Sequence, residues 1–172
     1  GARDRQVLFG ASVTVFELHE DWAFVQAGNG YVGYVRADLL GAATAPSHLV
    51  GTVATHAYAA EDFKSSDLLR LTFGAQVAVI AERRKFYETA VGFIPKKHLR
   101  EVDRPFSDPA SVAQLHFGVP YLWGGNSTLG LDCSGLVSAG LEACGIVCPG
   151  DSDLQQAALG ADVTDGSYQR GD

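Results

Sequence analysis

The chain has 172 residues, a length that suits one domain or a few small ones. Hydrophobic residues make up 47% of it and charged residues only 19%, a composition that excludes a solvated disordered chain. Acidic residues outnumber basic ones by 20 to 13, and the resulting formal charge of −7 argues against a nucleic-acid partner.

An internal repeat organises the part of the chain before residue 100. Residues 9–15 (FGASVTV) and 73–79 (FGAQVAV) are identical at five of seven positions. Further on, residues 33–40 (GYVRADLL) match residues 92–99 (GFIPKKHL). The first copy has the longer hairpin tip, at glycine-rich residues 28–30, so the two matched strings lie further apart there than in the second copy. This self-similarity predicts two copies of one small β unit.

Each copy has the patterning of short strands that close into a small barrel. Residues 12–15 alternate polar and apolar side chains, and glycine turns separate the strand-like runs. The pattern resembles bacterial SH3-like domains, so we predict two SH3-like β-barrels at residues 1–45 and 46–103, with a generic β-meander as the alternative. Trp22 and Phe86, which the repeat aligns, are expected to occupy corresponding places against their own sheets.

Helical patterning begins after a proline-containing linker at residues 102–109. Asp108 is expected to cap the first helix and Asp132 the second, because a carboxylate there accepts the free amides of the first turn. A third helix is predicted to begin at Ser152, with Gln155 completing a capping box of the Ser-x-x-Gln type.

Cys133 comes one residue after the predicted cap Asp132 and therefore falls in the first helical turn. The partial positive charge at a helix N-terminus favours the thiolate, which is the nucleophilic form of cysteine. First-turn amides there would also hydrogen-bond a developing oxyanion. On spacing alone, a small buried residue remains the alternative, because free cysteines are among the most buried residue types.

The sequence on both sides of Cys133 carries a specific resemblance. Residues 120–125 (PYLWGG) and 130–137 (GLDCSGLV) closely resemble the NlpC-type cell-wall peptidase family, and residues 145–155 continue the match. The resemblance covers about residues 107–172. It implies a papain-like cysteine peptidase of the α+β class that cuts peptidoglycan stem peptides between γ-D-glutamate and the following diamino acid.

The matched positions imply a role for five side chains. Cys133 would be the nucleophile, and the Tyr121 hydroxyl would lie beside it near the oxyanion site. Asp132 and Ser134 would contact the substrate, in some members through its free N-terminal amine, and Ser152 would join them. The implied partners are peptidoglycan stem peptides or muropeptides, with no cofactor and no metal.

Two positions depart from the family pattern. The base of the family is a histidine downstream of a Gly-Asp pair, but all five histidines of this chain precede Cys133. His116 is the nearest of them, and it is more simply interpreted as a partly exposed helix residue than as the base. Gly150 stands where many relatives carry an arginine, which puts any carboxylate contact there in doubt.

Residues 107–172 carry almost no strand signal, so the predicted third domain, at residues 104–172, is the helical half of a papain-like α+β domain without its sheet. The helix face that carries Leu136, Val137 and Leu141 would then lack its apolar cover. The chain contains no methionine and so does not begin at a translation start. The missing sheet and histidine lead us to expect that the native polypeptide continues beyond Asp172.

Two other functions fit the same residues: a binding module in which Cys133 is inert, and a thiol acyltransferase on the papain-like fold. In relatives with this architecture the first SH3-like unit can wall off the cleft, so that only short peptides with free amines enter. The resemblance therefore implies cytoplasmic recycling of wall fragments, with the cell envelope or secretion as the alternative. No apolar run approaches the roughly 18 residues of a membrane helix, so no membrane partner is expected. Cys144 and Cys148 lack further ligands nearby, which argues against zinc.

Overall fold

Strands dominate the chain up to residue 101 and helices dominate it from residue 109 onward, so it is a mixed α and β protein. The computed structural model describes residues 3–164 and 166–172. The elements in chain order are β1 (Val13–His19), β2 (Trp22–Ala27), β3 (Val32–Arg36), a 3₁₀ helix (Ala37–Leu39), β4 (His48–Val50), β5 (Ala54–Tyr58), β6 (Asp67–Thr72), β7 (Gln76–Val77), β8 (Val79–Glu82), β9 (Phe86–Thr89), β10 (Gly92–Pro95), a 3₁₀ helix (Lys96–His98), β11 (Leu99–Glu101), α1 (Pro109–Gln114), β12 (Asn126–Ser127), β13 (Gly130–Leu131), α2 (Cys133–Ala143) and α3 (Ser152–Ala158). None of the helices in the described ranges has the length and apolarity needed to cross a membrane.

The first copy of the repeat is an antiparallel sheet in the order β1-β2-β3. Its buried side chains are small, with Ala23 and Val25 facing inward. The predicted closed barrel is wrong for this copy, in which only three strands pair within the described residues. The segment before β1, residues 3–8, extends to the helical region instead of pairing: the Gln6 side chain accepts the Asn126 amide at 2.9 Å.

The second copy is larger because β4, β5 and β6 add strands that the first copy lacks. Five strands pair in the order β6-β5-β10-β9-β8, and three more in the order β11-β4-β7. The main core lies between these two sheets and is formed by Val50, Ala57, Leu71, Ala75, Val77 and Ile94. Burial of each large aliphatic side chain stabilises the fold by about 1.5–3 kcal/mol, so this copy holds the main core of the described residues.

Strand pairing confirms the repeat. The β1–β2 ladder has an irregularity between Val15 and Glu17, and the β8–β9 ladder has one between Val79 and Ala81, the positions that the repeat aligns with them. The β2–β3 and β9–β10 ladders also keep corresponding partners, since Trp22 pairs with Arg36 in the first copy and Phe86 pairs with Pro95 in the second. Two copies of one strand pattern therefore share one backbone register.

Trp22 and Phe86 occupy corresponding register positions, but their surroundings differ. Trp22 is 46% exposed, whereas Phe86 is 2% exposed. The Phe86 ring packs against Phe63 and Tyr58, with centroids 4.8 and 6.2 Å away. Both partners belong to the β5–β6 hairpin, which has no counterpart in the first copy. The expectation that Trp22 packs against its own sheet as Phe86 does is therefore wrong.

All three helices begin where the sequence predicts, α3 at Ser152 included, but only two of the three predicted caps are confirmed. Asp108 caps α1 by accepting a first-turn amide at 3.0 Å, and Asp132 caps α2 in the same way at 2.7 Å. The predicted capping box of α3 is wrong: Asp151 is the N-cap rather than Ser152, and the Gln155 side chain is buried. The Gln155 side-chain amide stabilises the fold more by donating to buried acceptors than it would by capping an exposed helix start.

Helix α2 turns small residues inward and leaves large apolar ones outside. Its buried positions are Ser134, Gly135, Ser138 and Gly140. Leu136 and Val137 are 37% and 42% exposed, and Leu141 is half-buried. The expectation that this apolar face lacks cover is confirmed for Leu136 and Val137 among the described residues.

Candidate active site

A short bridge brings Tyr121 next to the start of α2. Tyr121 pairs with Leu131 in an isolated parallel bridge, and the Leu122 amide donates to the Leu131 carbonyl at 2.9 Å. Leu131 directly precedes Asp132 and Cys133 in the chain. The bridge therefore places Tyr121 side by side with the N-terminus of the helix.

Cys133 is the first residue of α2 and is exposed, which is not what the buried alternative requires. Cys148 by contrast is buried and Cys144 is half-buried. The helix runs for 11 residues, so the free amides of its first turn and the positive end of its dipole lie at the Cys133 thiol. This position suits a nucleophilic thiolate that a substrate can reach.

Tyr121 lies close to Cys133 and Asp132. Desolvation in the first place, and these two neighbours after it, raise the pKa of Tyr121 above its usual range. A phenol with a raised pKa stays protonated at neutral pH and keeps its hydrogen available for donation. Tyr121 is therefore placed to donate to a sulfur anion or to an oxyanion beside it.

Asp132 is 8% exposed and holds several segments together. Besides capping α2, it accepts the Gly124 amide at 3.0 Å and the Ser134 hydroxyl at 3.1 Å. Its two oxygens also accept Arg5 Nη1, at 3.2 and 3.0 Å. A buried carboxylate with this many donors fixes the loop, the helix and the N-terminal segment relative to one another.

A pocket of about 160 Å³ opens beside Cys133. The three residues predicted to bind substrate, Asp132, Ser134 and Ser152, all line it. Ser134 and Asp132 are buried in its wall, whereas Ser152 is exposed. Tyr121 does not line the pocket but lies close to Cys133, so all five predicted site residues are in one neighbourhood, and their roles remain predictions.

Arg5 and Tyr31 line the same pocket and were not predicted. The Arg5 guanidinium lies over the Tyr31 ring, 5.4 Å from its centroid. Tyr31 also accounts for the departure at Gly150, because a Cβ at that position would lie 3.2 Å from the Tyr31 ring. No sequence signal marks Arg5, since Asp132, its first partner in the pocket, is 127 residues away.

No histidine lines this pocket in the described part of the chain. His116 lies just beyond α1 and is 6% exposed, so the expectation of a partly exposed helix residue is wrong. Its ring packs edge-on against Phe73, with centroids 5.2 Å apart, and burial lowers the pKa of His116. It lines a separate cavity of about 360 Å³, where it acts as a packing residue.

Cys144 and Cys148 are both free thiols. Cys148 lies inside the protein, where its sulfur accepts Gln155 Nε2 at 3.3 Å. Across residues 3–164 and 166–172, no group of three or more His, Cys, Asp or Glu side chains is arranged to hold a metal ion.

Gln155 ties α3 to the wall of the site, a role that the sequence did not indicate. Its Nε2 donates to the Ser134 carbonyl at 3.0 Å and to the Pro149 carbonyl at 2.9 Å. Ser134 lines the pocket, and Pro149 lies two residues before Asp151, which also lines it. This buried amide therefore joins the segment after α2 to the first turn that carries Cys133.

Replacing Gln155 with alanine is expected to lower the free energy of unfolding by about 1–3 kcal/mol, because buried carbonyls lose their donor. The matched control is Gln156→Ala, an exposed neighbour in the same helix, which should change stability by less than about 0.5 kcal/mol. Urea unfolding followed by circular dichroism measures both variants. Equal midpoints and slopes for the two would show that the Gln155 hydrogen bonds contribute nothing to stability.

Two family models match the chain. Residues 118–172 match the NlpC/P60 family, and residues 1–40 match the bacterial dipeptidyl-peptidase SH3 domain. The predicted resemblance is confirmed: the helical region carries NlpC/P60 sequence, and the first strand copy carries bacterial SH3 sequence.

Curated relatives with peptidase names match nearly the whole chain. The gamma-D-glutamyl-L-lysine dipeptidyl-peptidase of Bacillus subtilis is 29% identical over 93% of this chain and 60% of its own length. The protein of that name in Bacillus cereus is 25% identical over 98% of this chain and 58% of its own length. Dipeptidyl-peptidase 6 of Lysinibacillus sphaericus is 24% identical over 97% of this chain and 71% of its own length. The chain thus spans about 60% of the length of the Bacillus relatives.

One solved structure shares the fold. The crystal structure of an NlpC/P60 family protein from Bacillus cereus superposes with a TM-score of 0.82 and 22% sequence identity. The match covers 98% of this chain and 63% of that one. The arrangement of strands and helices described above is therefore the fold of that protein.

Proposed function

We propose that this chain carries the nucleophile-bearing half of a papain-like cysteine peptidase that hydrolyses γ-D-glutamyl-diamino acid bonds. The observation that carries the proposal is Cys133 itself, an exposed thiol at the first residue of α2 with the Tyr121 side chain close to it. A cysteine that only packs in the core would be buried and would not require the Tyr121 phenol beside it. The names of the Bacillus relatives support the γ-D-glutamyl part of the proposal.

The chemistry divides between groups in this pocket and a base outside it. The base takes the thiol proton, and Cys133 Sγ attacks the carbonyl carbon of the scissile amide. First-turn amides of α2 and the Tyr121 hydroxyl hydrogen-bond the oxyanion. The C–N bond then breaks, the amine leaves with the proton, and water hydrolyses the thioester to release the γ-D-glutamyl product. Since no histidine lines the pocket within the described ranges, the proposal takes the base from outside this set of residues.

Short peptides with a free amine are the proposed substrates. Asp132 and Ser134 present acceptor oxygens in the pocket wall. Tyr31 of the first copy closes the pocket from the other side, which leaves about 160 Å³ beside Cys133. A volume of this size suits one or two small residues rather than a crosslinked wall strand. Recycling of wall fragments in the cytoplasm stays a prediction that the resemblance implies.

The test is product analysis with the full-length gene product. The substrate is L-Ala-γ-D-Glu-meso-diaminopimelate, with its N-acetyl derivative as the matched control. Mass spectrometry should show free diaminopimelate and L-Ala-γ-D-Glu from the first peptide and little product from the second. Binding of the free-amine peptide without cleavage would support the binding-module alternative, and transfer to an added amine in place of water would support the acyltransferase.

A further inference from the structure

The pocket beside Cys133 is already occupied by a side chain of the same protein. Arg5 reaches it from the segment before β1, and its side chain is 9% exposed. Nη1 donates to Asp132 at 3.0 Å, and Nη2 donates to the Ser134 hydroxyl at 2.9 Å. Nη2 also donates to the Gly150 carbonyl and to the Asp151 carboxylate.

These partners form a cage for a cation. Two are carboxylates, one is a hydroxyl and one is a backbone carbonyl, and the Tyr31 ring faces the guanidinium. The fit of Arg5 is incomplete, because its Nε is buried and has no hydrogen-bond partner among the described residues. An unpaired buried donor makes the occupied state less favourable than a fully satisfied one. The cage therefore holds Arg5 but is not matched to it.

The segment that carries Arg5 is fixed at both neighbouring positions. Gln6 accepts the Asn126 backbone amide at 2.9 Å, and its carbonyl accepts the Asn126 side chain at 3.1 Å. The backbone of Asp4 lies against Gly124, where a Cβ would come within 2.6 Å of the Asp4 carbonyl oxygen. Glycine at 124 thus lets the segment lie close, and the Gln6 anchor keeps Arg5 near the cage at high effective concentration.

We propose that Arg5 is a tethered occupant of a cation subsite beside Cys133, and that the ammonium group of a substrate must displace it. The proposal rests on the proposed function in taking Cys133 as the reactive centre and a free amine as the group that the substrate brings. When Arg5 fills the cage, an incoming amine meets acceptors that are already used. The apparent affinity for the amine is its intrinsic affinity multiplied by the fraction of time that the cage is open. If Arg5 occupies the cage for nine-tenths of the time, amine binding is about tenfold weaker.

The first test measures alkylation of Cys133 and needs no turnover. Wild type is treated separately with 2-bromoethylamine, which is cationic, and with iodoacetamide, which is neutral, and modification of each cysteine is followed by mass spectrometry. At Cys133, the rate of alkylation by 2-bromoethylamine is divided by the rate of alkylation by iodoacetamide. Arg5→Ala is expected to raise this ratio about tenfold. Arg5→Lys should stay near wild type. Arg3→Ala removes the same charge from an exposed position two residues away and should leave the ratio unchanged.

An unchanged or lower ratio in Arg5→Ala, with Cys148 still protected from iodoacetamide, would overturn the proposal. Protection of Cys148 reports that the variant is folded, because this thiol is buried. If Arg5→Ala exposes Cys148, the wild-type experiment below decides. Loss of peptidase activity alone would bear on the proposed function and not on this ratio.

The second test uses wild-type protein and trypsin, which must take the Arg5 side chain into its own pocket to cut after it. Saturating L-alaninamide should speed cleavage after Arg5 severalfold, whereas N-acetyl-L-alaninamide, which has no ammonium group, should not. Cleavage after Arg36, whose side chain is 55% exposed, corrects for effects on trypsin itself. Equal Arg5 cleavage with and without L-alaninamide would show that the amine does not displace Arg5.

Discussion

Cys133→Ala is expected to reduce kcat/KM for L-Ala-γ-D-Glu-meso-diaminopimelate on the order of 10⁴-fold in the full-length protein. The reason is that alanine leaves no thiol at the first residue of α2 to form the acyl-enzyme. Cys133→Ser should be nearly as inactive, because an alcohol at that position is far harder to ionise than a thiol. Release of diaminopimelate over time measures each variant.

The matched control for this substitution lies in the same helix. Cys144 is the C-cap residue of α2 and is half-buried, so Cys144→Ala removes a thiol without touching the pocket. It should keep kcat/KM within about threefold of wild type, the change expected from a modest packing loss. Wild-type kcat/KM in Cys133→Ala would refute the nucleophile assignment and leave the binding-module alternative.

Asp132→Ala is expected to have the largest effect on stability, lowering the free energy of unfolding by about 3 kcal/mol. This substitution removes the α2 cap and leaves Arg5 buried with fewer partners. The Gly124 amide and the Ser134 hydroxyl also lose their acceptor. Urea unfolding followed by circular dichroism measures the loss, and activity should fall with it because the Cys133 turn is no longer fixed.

Two further variants separate the charge of Asp132 from its hydrogen bonds. Asp132→Asn keeps an acceptor for the helix cap and should lose less stability than Asp132→Ala. Arg5→Ala added to Asp132→Ala should restore part of the loss, because it removes the orphaned cation. Asp153→Ala removes an exposed carboxylate from the first turn of α3 and should change stability by less than about 0.5 kcal/mol. A loss in Asp132→Ala no greater than in Asp153→Ala would contradict the structural role.

The repeat and two helix caps could be predicted from the sequence because each depends on residues close together in the chain. The bulge shared by the β1–β2 and β8–β9 ladders follows from the matched strings at residues 9–15 and 73–79. The Asp108 and Asp132 caps need only a carboxylate and an amide two or three residues later. Neighbouring strands and first turns obey local rules, so the local pattern was sufficient.

Prediction was wrong where the deciding partner was distant or absent. Gln155 has the spacing of a capping box, but buried carbonyls at Ser134 and Pro149 compete for its amide. Trp22 and Phe86 are equivalent in register, yet only Phe86 meets the β5–β6 hairpin. The closed barrel expected for the first copy also failed, because the segment before β1 contacts the helical region instead of the sheet.

Within the site, the sequence by itself determined which residue is the candidate nucleophile and what surrounds it along the chain. Cys133, its cap Asp132 and the Tyr121 loop are close in the chain, so their proximity follows from one short bridge and one helix start. Only the tertiary structure decided that Arg5 fills the cage beside them. A guanidinium selects its acceptors by geometry and charge after the chain has folded, and a separation of 127 residues leaves no periodic or local pattern that could reveal the choice.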